Sequence, residues 1–218
     1  MKKIFILAVI VASFCNLVFA NSEKVKGNGN VTLQSKTVNS FNKIALGGSI
    51  DIEISQGNQE GVTIETDENL QQYIITEVKD NTLSIHVKDN VSLTSTKLKV
   101  KIDCKKLEAI SAGGSGDIET KTKLKSDDLS IFQGGSGDFK LDLEVGKLEI
   151  SKAGSGDFKL EGQADELEIS SAGSGDVHAQ QLAVKSGEIS TAGSGDIFLA
   201  KGTKIKLSNV GSGEVHYE

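Results

Sequence analysis

The stretch Gly154-Ser155-Gly156-Asp157, preceded by Leu148-Glu149-Ile150-Ser151 and followed by Phe158-Lys159-Leu160, decides the fold because the chain repeats it. The same turn stands at Gly114-Ser115-Gly116-Asp117, Gly135-Ser136-Gly137-Asp138, Gly173-Ser174-Gly175-Asp176 and Gly193-Ser194-Gly195-Asp196, and closes as Gly211-Ser212-Gly213-Glu214. Its acidic residue recurs after 21, 19, 19, 20 and 18 residues. A near-constant period of this size is the mark of stacked repeats.

Around each turn the apolar pattern has period two. Seven positions before the acid stand Ile110, Ile131, Ile150, Ile169, Ile189 and Leu207; one position after it stand Ile118, Phe139, Phe158, Val177, Ile197 and Val215. Three positions after it come Thr120, Leu141, Leu160, Ala179, Leu199 and Tyr217, and between them Glu119, Lys140, Lys159, His178, Phe198 and His216. This in-out-in alternation places a short strand on either side of every turn. A helix would show a 3.6 period and would not carry two glycines per turn. The expectation is an all-β chain, a parallel β-helix or solenoid with coils of about 19–20 residues stacked ~4.8 Å apart. Length variation is confined between each Asp and the next repeat's first strand.

At the start of the chain, Met1-Lys2-Lys3 followed by the apolar run Ile4 to Ala20, ending in Val18-Phe19-Ala20, reads as a secretory signal over residues 1–20. A membrane span is the alternative, but the run is short for one and no positive residues follow it. Cys15 suggests lipidation, against which Phe14 occupies a position that wants a small residue. The expected location is exported: periplasm, cell surface or secreted. From Asn21 onward 22 lysines face 30 acids, a net charge of −8, and the chain has no Arg. Bulk charge therefore argues against a nucleic-acid or anionic-membrane partner, and without Arg bidentate capture of phosphate or carboxylate is absent. Cys104 is the lone cysteine of that stretch, so no intramolecular disulfide forms; it reads as a buried hydrophobe, although alternation along Lys101-Ile102-Asp103-Cys104 could turn it outward.

Residues 21–40 read as a tether or first partial strand. From Phe41, the run Ile44, Leu46, Gly47-Gly48-Ser49, Ile50-Asp51-Ile52 resembles a divergent copy of the repeat. Asp67 is an N-cap candidate for a short helix over 67–75. Ile74 to Val78 and Leu83 to Val87, joined by Lys79-Asp80-Asn81-Thr82, read as a hairpin. Residues 41–106 are thus an irregular opening section and 107–218 the six coils.

The repeated Ala-Gly-Ser-Gly-Asp units, together with Phe41-Asn42-Lys43-Ile44 and Gly47-Gly48-Ser49-Ile50-Asp51, resemble the putative auto-transporter adhesin, head GIN domain family of exported Bacteroidetes proteins. The resemblance spans about Phe41 to Tyr217. It implies a β-helical fold, a cell-envelope setting and an adhesin-like role, and it carries no catalytic residues.

Glycine suits a solenoid corner through positive φ. A column of carboxylates ~4.8 Å apart is a problem, since neighbours repel by ~0.9 kcal/mol in water and ~3.5 kcal/mol at an effective dielectric of 20. One offset is that each Asp accepts hydrogen bonds from the amides of its own turn. The other is a ladder of cations, as in calcium-binding β-rolls, but those repeats have nine residues and a different Gly-to-Asp spacing, and each coil here offers too few oxygens. The turn residues are therefore read as structural, with no metal and no cofactor.

His178 and His216 share a column with Phe198 between them, ~10 Å apart and too far for a metal pair; with His86 they read as exposed polar filler. Glu149 and Glu168 on adjacent coils have a spacing that suits a retaining glycosidase, yet stacking alone generates it. With no Trp, no Arg and two Tyr, a carbohydrate-active enzyme is not expected. The expected function is a non-enzymatic envelope or surface module that binds glycan or protein; the alternative is a purely structural envelope component. The final coil, through Val215-His216-Tyr217, presents an uncovered strand edge, and self-association there, end to end or side by side with Tyr217 near the contact, is expected.

Overall fold

The computed structural model describes residues 22–218, so the signal sequence expected over 1–20 lies outside the described residues. Ahead of the opening section lie β1 (Glu23–Lys26) and β2 (Val31–Lys36), and the section itself consists of β3 (Lys43–Gly48), β4 (Asp51–Gln56), β5 (Gly61–Asp67), a 3-10 helix (Glu68–Tyr73), β6 (Ile74–Lys79), β7 (Thr82–Val87), β8 (Val91–Thr94) and β9 (Leu98–Cys104). The repeats supply β10 (Ala109–Gly114), β11 (Ile118–Thr120), β12 (Leu124–Gln133), β13 (Phe139–Lys152), β14 (Phe158–Ser171), β15 (Val177–Thr191), β16 (Ile197–Leu199), β17 (Lys204–Asn209) and β18 (Val215–Tyr217).

Alternation dictates which residues enter the core. Ile110, Ile131, Ile150, Ile169 and Ile189 are buried, as are Ile118, Phe139, Phe158, Val177 and Ile197. Each fully buried side chain of this size contributes about 1.5–3 kcal/mol relative to exposure. Because equal positions stack, side chains pack against their own kind: the Phe139 and Phe158 rings lie parallel with centroids 4.6 Å apart.

Between repeats all pairing is parallel and in register with the turn. Phe139 pairs with Phe158 and Ile150 with Ile169; Ile169 pairs with Ile189, and Ile189 with Leu207. β13, β14 and β15 run without a break from just after one Asp to just before the next turn, so the corner expected to be elastic is a bend within a continuous strand. The two extra residues of the 21-residue step lie in the Lys121–Lys123 link between β11 and β12, and the extra one of the 20-residue step is absorbed by a register shift between β14 and β15 at Lys159 to Glu161.

The whole is all-β, with one 16-stranded sheet and a separate two-stranded sheet of β1 and β8. The large sheet is curled and mixed, parallel between the repeats but with antiparallel strands in the irregular N-terminal section, and so departs from the expected parallel β-helix or solenoid. β5 runs antiparallel to both β9 and β2, and β6 antiparallel to β7. The cause is local: two-residue reversals such as Asp80-Asn81, both at positive φ, fold the chain back on itself, and only antiparallel neighbours can be joined so tightly. The expected hairpin is that pair, and the divergent first copy is also present, since β3 pairs with β10 and β4 with β11 as though they formed a coil.

The stretch expected as a tether or partial strand contains β1 and β2. The helix expected over 67–75 is a 3-10 turn, and Asp67 does not cap it with its side chain. Its carboxylate instead accepts from Gly29 N (2.7 Å), Thr96 N (2.7 Å) and Thr96 Oγ1 (2.9 Å), clamping two distant segments. These donors hold the Asp67 carboxyl below its ordinary range. Cys104 is buried, and desolvation pushes its thiol up to about 12.

Candidate functional site

The Gly-Ser-Gly-Asp turns form one continuous edge. The twelve turn glycines are not at positive φ, which corrects the conformational reason expected for them. Close approach explains them instead. A Cβ on Gly154 would overlap the carbonyl of Gly135 in the coil beneath, and one on Gly156 the carbonyl of Gly137. The backbones stack this tightly because Ser155 N donates to Gly135 O at 3.1 Å, a bond that recurs from Ser136 to Gly114 and from Ser194 to Gly173.

The carboxylates are offset by a third arrangement. Each Asp accepts not from its own turn but from the amide of the acid in the next coil. Asp138 N donates to Asp117 Oδ1 (2.9 Å), Asp157 N to Asp138 (2.8 Å), Asp176 N to Asp157 (2.8 Å), Asp196 N to Asp176 (2.8 Å) and Glu214 N to Asp196 (2.8 Å). The ladder starts at Asp51, whose Oδ1 takes Asp117 N at 3.2 Å. Charge-assisted bonds of this kind exceed neutral ones in strength and counter the like-charge repulsion. Among the described residues no group of three or more His, Cys, Asp or Glu is placed to hold a metal ion.

Beneath the edge lies a column that sequence reading passed over, five positions before the acid: Gln133, Lys152, Ser171 and Thr191, all buried, and then Asn209. Parity with the buried isoleucine two residues earlier was the available signal. These side chains serve the turn backbone: Gln133 Nε2 donates to Gly137 O, Lys152 Nζ to Gly154 O (3.3 Å) and to Gly175 O, and Asn209 Nδ2 to Gly213 O (2.7 Å). Burial pushes the Lys152 amine below its usual range.

Outside the edge, the column two positions after the acid changes character along the stack. At its lower end Glu119 bonds to Lys121 (2.8 Å) and Lys140 (3.2 Å), which hold its carboxyl below the ordinary value. Lys121 also reaches Glu53, itself paired with Lys99 at 2.8 Å. At its upper end the rings of His178, Phe198 and His216 stack face to face, with centroids 4.9 and 5.0 Å apart. His216 Nε2 lies 3.9 Å from Asp196 Oδ2 and 3.8 Å from Glu214 Oε2, contacts that become ion pairs when the ring is protonated. A shallow groove of about 320 Å³ runs along this face, lined among others by Asp138, Lys140, Asp157, Lys159 and His178.

The other residues singled out are not gathered here. His86 lies in β7, its Nδ1 2.9 Å from Val87 O. Glu149 and Glu168 are register partners, but Lys147 Nζ sits 2.9 Å from Glu168 Oε2 and occupies that carboxylate.

These features define a β-repeat protein whose ordered outer edge presents charge at one end and stacked rings at the other. The chain belongs to the family described as putative auto-transporter adhesin, head GIN domain, whose model matches residues 40–218. Among solved structures it is similar to a putative adhesin from Bacteroides fragilis NCTC 9343, with 27% identity and a TM-score of 0.80 over 89% of this chain and all of that one. It is also similar to a putative lipid binding protein from Parabacteroides distasonis ATCC 8503, with 25% identity and a TM-score of 0.72 over 90% of this chain and all of that one. A putative adhesin from the same Parabacteroides strain matches at 27% identity and a TM-score of 0.66 over 90% and 100%. No curated protein matches the chain.

Proposed function

We propose that this protein is an exported, non-enzymatic interaction module of the cell envelope or surface, which contacts a glycan or a surface protein through the outer face of the Gly-Ser-Gly-Asp edge. In this reading residues 107–218 act as a stiff parallel β-solenoid, the turns are its structural corners and residues 41–106 close one end. The observation that carries the proposal is the ladder His178-Phe198-His216. Where earlier repeats put Glu119, Lys140 and Lys159 in the same outward column, the upper coils put rings. An apolar ring held outward by stacking is a rigid contact that loses little side-chain entropy on binding. The adhesin relatives fit this reading.

The test incubates the purified protein with a panel of glycans, envelope polymers, surface proteins and lipid vesicles, reading retention and chain cleavage together. Retention of one class without cleavage supports the proposal, and cleavage overturns it. The second reading, an architectural envelope component, draws on the regularity of the remaining surface; absence of both retention and cleavage favours it. Vesicle retention alone would align this chain with the relative named for lipid binding.

A further inference from the structure

Below the first turn, Gly47-Gly48-Ser49, the two walls of the stack are unequal. Beyond β4 the large sheet continues through β9 and β5 to β2, whereas beyond β3 it continues only through β7 to β6. Counted from the turn, β9 matches β7 and β5 matches β6, which the 3-10 helix joins across the end. β2 has no counterpart among the described residues. The space that it faces is an open cavity of about 480 Å³, lined by Gln34 and Lys36 of β2, Gln71 and Gln72 of the helix, and Ile75 and Thr76 of β6.

The groups around this cavity are those that a further strand would use. In the hairpin of β6 and β7 the two-residue reversal at Asp80-Asn81 makes Lys79 and Thr82 a hydrogen-bonded pair. By alternation Glu77 and Ile75 also bond to β7, and the backbone N–H and C=O of Thr76 and Val78 point away from it. Ile74 has the same parity, and its carbonyl accepts from Lys36 Nζ at 3.2 Å. That bond shows the width of the gap: directly paired strands lie ~4.8 Å apart, whereas a lysine side chain is needed to reach from β2 to β6. The Lys36 amine pairs with no carboxylate among the described residues, and burial pushes it below its ordinary range. Glu68, the acid on the same wall, accepts from Asn30 Nδ2 at 2.9 Å. Gln71 is 8% exposed and spends its Nε2 on Thr32 O at 3.0 Å, leaving Oε1 without a partner. The cavity therefore offers a row of backbone donors and acceptors, a cation with no counter-ion and a spare acceptor. A sugar would match the side chains and leave the β6 backbone unused; an extended peptide uses both.

We propose that an extended segment of a partner protein docks here as an added strand on the free edge of β6, with a carboxylate side chain on its inner face meeting Lys36. The added strand lies opposite β2 and makes the two walls equal. Alternate residues of a strand share a face, so the inner positions of the segment face Gln34, Lys36 and Gln72 and are polar, with an acid at Lys36. This surface is separate from the outer column of rings, and neither reading depends on the other.

Amide hydrogen exchange at Thr76 and Val78, followed by NMR on the purified protein, tests the proposal with two blocked peptides, one of alternating Thr and Glu and one of alternating Thr and Lys. Both amides are expected to exchange freely in the protein alone and to become protected, with saturation, as the Thr/Glu peptide is added. The Thr/Lys peptide is expected to bind at least roughly tenfold more weakly, and Lys36→Glu to reverse the preference. Thr76→Pro removes one donor at an edge position that tolerates proline, so it is expected to abolish binding with little change in the unfolding midpoint. Protection of both amides before any peptide is added, no protection by either peptide, or undiminished binding in Thr76→Pro would each overturn the proposal. So would protection that rises with protein concentration alone, which assigns the edge to a second copy, or protection by a glycan and not by the peptides.

Discussion

Between Asp51 and Asp117 the chain uses 66 residues to climb one step of the carboxylate ladder, whereas between Asp138 and Asp157 it uses 19. Both steps end in the same bond, an Asp amide on the carboxylate below. The repeats make it by identity, each coil copying the backbone path of its neighbour. The opening section makes it by detour: β7 and β9 pair parallel with β3 and β4, and β6 and β5 run antiparallel beside them before the chain returns. Identity gives tight backbone contact that tolerates no added atom. Detour gives an equally buried core whose segments are joined by particular side chains such as Asp67, Glu53 and Lys99. Substitutions should therefore hurt in different places for different reasons.

The largest contrast is expected from glycine. Gly154→Ala drives a methyl group into the backbone of Gly135, and since no side chain can yield there it should cost roughly 3 kcal/mol or more. Gly57→Ala in the opening section meets nothing within 4 Å and should change stability by less than about 0.5 kcal/mol. Urea unfolding midpoints of the two variants measure the difference.

The ladder comes next. Asp157→Ala leaves the Asp176 amide without its acceptor and should cost about 1–3 kcal/mol, whereas Asp157→Asn keeps an oxygen there and should recover most of it. Among the described residues no amide donates to the Glu214 carboxylate, so Glu214→Ala should fall within about 0.5 kcal/mol of the wild type in the same assay. Equal losses at 157 and 214 would mean that the ladder is a by-product of stacking.

The Asp67 clamp is sensitive to pH. Its donors lower the folded carboxyl pKa, so the stability it contributes is fully present above the ordinary carboxylate range and is lost as pH falls through the folded value. Thermal unfolding of Asp67→Asn against pH should lie below the wild type at neutral pH and converge with it in acid. The smallest effect concerns Cys104, whose thiol, pushed up to about 12, should resist alkylation in the folded protein and react on unfolding. Alkylation followed by mass measurement checks it.

Much of the repeat region was legible because one signal was written six times. The alternation around Ile150 and Phe158 specified the strands, their register and the buried columns. Lys152 was missed because a lysine discourages an inward reading, although its parity with Ile150 required one. The true partners of the Asp column were missed because the donor is a backbone amide, which carries no mark in sequence. In the opening section the signals were single. Asp67 looked like a helix cap, and its actual partners, Gly29 and Thr96, lie 38 and 29 residues away. The mixed sheet was illegible for a related reason, since nothing in the short strands β2 and β5 states which neighbour, or which direction, each will take.

The proposed role turns on whether the ringed end of the outer column makes the contact. The most direct measurement compares retention of the wild type, Phe198→Lys and Lys140→Ala on whichever ligand class the panel identifies. Phe198→Lys restores the charge that the same column carries at Lys140 and Lys159, so the fold should survive it. Loss of retention in Phe198→Lys with little change in Lys140→Ala is the predicted result. Full retention in Phe198→Lys would contradict the account and move the contact off this face.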